Sequence, residues 1–170
     1  MGKWSNFWER KLRQWRLNRE FRAHRRMVKR DNRLPPASTD HLTDADYLEA
    51  EITLTRTPCF GSCPAYTVYV RGDGWVEYNG EQFVEVEGHQ TAQVDPAEVR
   101  KLIQAFFRIN FFALHNEYKT FWTDGPMLGV SIVIAGQFKG IADAGDGPMR
   151  LFELSKAIDQ VAGTKRWIGE

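Results

Sequence analysis

A chain of 170 residues with 42% hydrophobic and 26% charged side chains has the size and balance of one ordinary globular domain with something attached, which excludes disorder of the whole chain. No apolar run approaches the ~20 residues that a membrane-spanning helix needs, and the longest candidate, Leu128 to Ala135, is strand-sized. The formal net charge of +1 conceals two parts of opposite sign: residues 1–33 carry 12 Lys or Arg against 3 acidic residues, giving +9, and the remainder carries 11 against 19, giving −8.

Such asymmetry argues for a basic arm with an anionic partner, namely membrane lipid, nucleic acid or an acidic protein surface that includes the domain itself. Targeting signals explain the arm less well. Arg25-Arg26-Met27-Val28-Lys29-Arg30 runs into more charge where a secretory signal needs an apolar stretch. Met1-Gly2-Lys3-Trp4-Ser5-Asn6 places serine one position too early for myristoylation. The expected location is therefore cytoplasmic, with the arm able to hold the protein peripherally at a membrane.

The arm reads as a helix from about Ser5 to Lys29, free of glycine and proline and rich in Arg, Lys, Leu and Glu. Trp4, Trp8, Leu12 and Trp15 recur at helical spacing on one face, with Arg10, Arg13 and Arg16 on other sides. Beyond Leu17 the apolar face drifts, and Arg19, Arg22, Arg25, Arg26, Lys29 and Arg30 continue the charge all around. Residues 34–50, opening with Leu34-Pro35-Pro36, read as a linker, and the folded domain is expected over 51–170.

Within that domain, Glu51 to Thr57 alternates like a half-buried strand, and Pro64 to Arg71 is a second strand rich in Tyr, Val and Thr. Gly72-Asp73-Gly74 turns the chain into a partner strand at Trp75 to Tyr78. Gln82 to Glu87 and Gln90 to Val94 are shorter strand candidates. A helix starts at Asp95, with Pro96 at its first position and Val99, Leu102, Ile103, Phe106 and Phe107 as its buried stripe. Phe111, Phe112 and Leu114 are expected to plug the core after it. Leu128 to Ala135 and Phe138 to Asp143 form a second hairpin about Gly136. A last helix runs from about Pro148 to Ala162, stopped by Gly163. The expected fold is α+β: a mainly antiparallel sheet of about five to seven strands with two helices packed on it, preceded by the separate basic helix.

Both cysteines lie in Thr57-Pro58-Cys59-Phe60-Gly61-Ser62-Cys63-Pro64. Cys59 and Cys63 can be a disulfide if the glycine turn closes, a pair of reduced redox-sensitive thiols, or two small buried side chains filling a tight turn. The buried-thiol reading carries the most weight and zinc the least, since further ligands are not evident beyond His89 or His115. A catalytic cysteine would need a nearby base that no histidine's local context nominates.

This turn, with the strand and hairpin that follow it, resembles the family of the domain of unknown function 6438. The resemblance covers about residues 51–167: R-T-P-C-F-G-S-C-P-A-Y, V-Y-V-R-G-D-G-W-V-E-Y, I-N-F-F-A-L, T-D-G-P, D-A-G-D-G-P and A-I-D-Q-V-A-G-T-K-R-W. It implies a bacterial domain with no assigned activity. It also implies frequent export, where the cysteine pair would be oxidised, whereas this chain carries a basic arm in place of an export signal.

Asp124 and Asp143 match positions of that pattern and could meet at one end of the sheet as an acid-base or metal-binding pair. An Asp beside Gly or Pro more commonly caps a turn or a helix. Ser62 and Ser131 show no nucleophile-elbow pattern, and Gly72-Asp73-Gly74 is too short for a phosphate loop. The arm offers Trp4, Trp8 and Trp15 to a lipid interface or to stacking, and its arginines to phosphates. The residues thus point to a non-enzymatic binding or interaction protein whose basic helix contacts an anionic surface. The alternative is an enzyme or redox-sensing protein using Cys59 and Cys63 or Asp124 and Asp143. No cofactor and no metal is expected, and no small-molecule substrate can be identified.

Overall fold

A computed structural model describes residues 2–120 and 125–169, with the side chains of the first helix described from Glu9 onward. Asp124 and the side chains of Trp4 and Trp8 lie outside the described residues. The first helix, α1 (Gly2–Asp31), extends the expected one at both ends. Its unbroken run of strong helix formers accounts for its length, and the chain leaves it two residues before Arg33-Leu34-Pro35.

The segment after α1 is more ordered than its prolines suggest. Ala37 N–H donates to the Phe107 carbonyl, and Asn110 Nδ2 donates to the Pro35 carbonyl. A short helix, α2 (Asp44–Leu48), follows, started by a capping box in which Thr43 and Asp46 satisfy each other's backbone N–H groups. Tyr47 of α2 is buried in the core. The Tyr47 carbonyl approaches Gly72 so closely that a Cβ there would lie 1.8 Å away, so only glycine fits.

The sheet has seven strands: β1 (Glu51–Arg56), β2 (Ala65–Arg71), β3 (Trp75–Gln82), β4 (Gly88–Gln93), β5 (Glu117–Tyr118), β6 (Leu128–Ile134) and β7 (Gln137–Asp143). Their order is β4-β3-β2-β1-β6-β7-β5, antiparallel throughout except for the parallel β5–β7 pair. The expected strand at Gln82 to Glu87 is a correction: Gln82 ends β3 and residues 83–86 form bends. There the Val86 N–H bonds to the Trp167 carbonyl rather than to a strand, and the Tyr78 hydroxyl donates to the Val86 carbonyl.

Two longer helices cover one face of the sheet, α3 (Pro96–Arg108) and α4 (Met149–Ala162), and a final short helix, α5 (Lys165–Ile168), seats Trp167 on Tyr78 with ring centroids 4.7 Å apart. Asp95 caps α3 by accepting from the Ala97 N–H. All five residues of the expected α3 stripe are buried, as are Leu151, Leu154 and Ile158 of α4. Gly163 ends α4 with φ of 69°. These side chains meet Ile52, Leu54, Val68, Val70, Val76 and Ile132 from the sheet in one core. Phe111 and Leu114 are buried below α3, while Phe112 is only half-buried. The architecture is α+β, with α1 added to it.

Candidate functional site

The turn between β1 and β2 holds a disulfide, Cys59–Cys63, with Cα atoms 5.5 Å apart. This corrects the expectation of two buried thiols: both cysteines are half-exposed, and the glycine-containing turn brings them within bonding reach. As a disulfide the pair presents no thiolate nucleophile. Phe60 at the tip of the turn is 94% exposed.

Beside this turn, five residues that the sequence did not single out form a polar network. Arg56, the last residue of β1, donates from Nη2 to Asp159 Oδ2 at 2.7 Å and to Ser155 Oγ at 3.1 Å, and from Nε to the Tyr66 hydroxyl at 3.0 Å. The Tyr66 hydroxyl donates to Asp159 Oδ1 at 2.7 Å, and the Thr164 hydroxyl donates to the same oxygen at 2.9 Å. Burial acts against the charge of Arg56, but Asp159 and Tyr66 outweigh it and raise its pKa. Burial, followed by the neighbouring Asp159 carboxylate, raises Tyr66 well above the ordinary phenol range. The network pins α4 to the first two strands. Arg56, Tyr66, Asp159 and Thr164 stand within quoted motifs, yet nothing local shows that residues 93 to 103 positions apart meet.

Asp143, at the end of β7, is buried and accepts the Gly145 and Gly147 N–H groups on Oδ1 at 2.8 and 2.9 Å. It therefore ties the turn that precedes α4. Burial raises its pKa, against the pull of those two N–H groups. A Cβ on Gly147 would lie 2.3 Å from Asp143 Oδ2, so the carboxylate needs glycine there. Among the described residues no group of three or more His, Cys, Asp or Glu side chains is arranged to hold a metal ion.

A model of the domain of unknown function DUF6438 matches residues 50–162, about two thirds of the chain. The chain belongs to the DUF6438 family. A search of curated proteins finds none that matches. The matched span holds the DUF6438 sheet, the disulfide turn and most of the Arg56 network, while α1 lies outside it.

The basic helix is joined firmly to the DUF6438 domain at its C-terminal end. Asp31, the last residue of α1, has a fully buried side chain. The Tyr118 hydroxyl donates to Asp31 Oδ2, His115 Nδ1 lies 2.8 Å from the same oxygen, and Arg30 Nε donates to Oδ1 at 2.8 Å. Burial would raise the Asp31 pKa, but the hydrogen bonds from Tyr118, His115 and Arg30 outweigh it and hold the carboxyl below its ordinary value. Arg150 of α4 adds a clamp, donating to the carbonyls of Asn32, Leu34 and Ile109. Met27 and Val28 pack against the core, and His24 Nε2 lies 3.1 Å from the Asp146 carbonyl.

N-terminal to His24 the helix leaves the domain. Every residue from Glu9 to Ala23 is exposed, including Leu12, Trp15, Leu17 and Phe21. These 15 residues would span roughly 22 Å at 1.5 Å per residue. Arg10, Arg13, Arg16, Arg19, Arg22 and Arg25 repeat every third residue. With about 100° of rotation per residue, each successive arginine shifts by about 60°, so the set winds around the whole helix. The Arg19 guanidinium sits over the Trp15 ring at 5.6 Å and that of Arg25 over Phe21 at 5.6 Å. No described helix is long and apolar enough to cross a membrane.

Proposed function

We propose that this is a non-enzymatic binding protein in which the domain holds α1 by its C-terminal end and presents residues 9–23 to a polyanion. One observation carries the reading: the arginines wind around a fully exposed helical stretch whose far end is buried in the domain. A helix lying flat on a bilayer needs one apolar and one basic face. A spiral of charge instead suits a partner whose anionic groups flank the helix on several sides, as phosphates flank a nucleic-acid groove. Trp15 adds an exposed ring for stacking.

The test compares the whole chain with one lacking residues 1–23, which keeps Met27, Val28 and Asp31 at the docking point. Each is titrated at two salt concentrations against duplex nucleic acid and against vesicles of anionic phospholipid. The expected result is salt-sensitive duplex binding by the whole chain that the truncation abolishes. Equal binding by both chains would remove the arm from the function. Tighter binding to vesicles than to duplex would replace the flanking partner with a flat one.

A further inference from the structure

Apart from the arm, the domain contains a cavity of about 850 Å³ at one end of its helix-covered face, a volume within the range of small-molecule sites. Its floor is a row of paired strand positions: Tyr66 on β2, Arg56 on β1, Leu128 on β6 and Asp143 on β7. Directly paired residues share a face of the sheet, so these four side chains line up beneath α4. The roof is the face of α4 bearing Met149, Phe152, Lys156 and Gln160, spaced three and four residues apart. Lys165 and Ile168 of α5 close one end, and Cys63 and Pro64 of the disulfide turn form a side wall.

The lining is sorted along its length. Towards α5 the lining carries Arg56 and Lys165, and the Lys156 ammonium lies midway, 5.4 Å over the Phe152 ring; these three cations face Asp159, whose two oxygens are already engaged by Arg56, Tyr66 and Thr164. The hydrogen bonds of Arg56 within the network run through Nε and Nη2 and do not use Nη1. Towards the start of α4 the walls become apolar, with Leu128 below and Met127, Met149 and Phe152 around it, the last three 47%, 62% and 48% exposed. Asp143 lies at this end. Its Oδ1 is turned to the Gly145 and Gly147 N–H groups.

We propose that this cavity binds a small amphipathic carboxylic acid, with its carboxylate at Arg56, Lys156 and Lys165 and its hydrocarbon chain over Leu128, Met127, Met149 and Phe152. The positive excess selects the acidic head group, and the exposed apolar walls gain by covering a chain of methylenes. A cationic head would meet three like charges, and a fully polar ligand would leave the methionines and Phe152 uncovered.

Calorimetric titration of the oxidised, full-length protein with dodecanoate, dodecanol and dodecyltrimethylammonium, each below its micelle threshold, tests this directly. Dodecanoate is expected to bind one to one and at least about tenfold tighter than either of the others, the range of one charge-assisted contact. The exposed pair Lys156→Gln with Lys165→Gln is expected to weaken dodecanoate about tenfold and to leave dodecanol unchanged, with an unaltered circular dichroism spectrum. The exposed Phe152→Asp substitution should weaken both. The proposal is overturned if dodecanoate binds no tighter than dodecanol, if the ammonium compound binds best, or if the lysine pair has no effect. It is equally overturned if dodecanoate binding disappears when residues 1–23 are removed, because the site would then be the arm.

Discussion

Asp31 and Asp143 are two buried carboxylates with opposite pKa displacements, and each shift has a consequence for stability. Asp31 is held below its ordinary pKa, so it stabilises the fold above the ordinary carboxylate range and that contribution is lost as pH falls through the lowered folded value. Asp31→Ala leaves the buried Tyr118 hydroxyl without its acceptor and removes the carboxylate beside His115 Nδ1, and should cost about 2–4 kcal/mol at neutral pH in chemical unfolding. A cost below ~0.5 kcal/mol would mean that the α1 junction is not held by this residue. Asp143 is raised, so its favourable contribution is full below the unfolded pKa and fades as pH climbs through the folded value. Asp143→Asn keeps one oxygen for the Gly145 and Gly147 N–H groups and removes the buried charge. Denaturation across pH should show the variant gaining on the parent as pH rises from acid to neutral, and a parallel pair of curves would refute the raised pKa. Of these residues, only Asp143 was legible as a candidate, through its match to the family pattern at the end of the second hairpin. Asp31 looked like one acid among arginines, because its partners Tyr118 and His115 are supplied by a strand and a loop more than 80 residues away.

Most elements follow from local chemistry. The β1, β2, β6 and β7 strands carry alternating or β-branched runs, and α3 and α4 carry clear helical stripes with a cap or a stop at an end. The elements that escaped are those made by tertiary contacts or by few residues. β5 has two residues and exists because it pairs with the end of β7. α5 exists where Trp167 reaches Tyr78, and the bends at 83–86 form because Val86 pairs with that same short helix. Thr43-x-x-Asp46 was a readable capping signal for α2, hidden by the two prolines before it. The disulfide turn sat in plain view, but spacing alone does not distinguish a bond from two thiols. Closing so short a loop should stabilise the fold by about 2 kcal/mol on the chain-entropy model. Cys59→Ser with Cys63→Ser should lower stability by that amount in urea unfolding. An unchanged midpoint and slope would show that the bond adds nothing to the folded state.

At the scale of the molecule, the sheet order and the docking of α1 depend on contacts between distant residues that no local pattern encodes. The charge division was plain from the start. What the fold adds is that the positive part is not a loose tail: its C-terminal turn is built into the domain through Asp31, Arg150, Met27 and Val28, leaving residues 9–23 to project. A held helix loses little further backbone freedom on binding, so more of its electrostatic attraction survives as affinity. The arginine spiral makes a sharper claim, since Arg13 and Arg22 are nine residues apart and so on opposite sides of the helix. The most direct measurement is the slope of log affinity against log salt for duplex binding by the parent, by Arg13→Gln and by Arg22→Gln. Each substitution should reduce the slope by about 1, as expected for one lost phosphate contact on each side. A slope that changes for only one of the two would mean a flat partner on one face, and a slope that changes for neither would contradict polyanion binding by this helix.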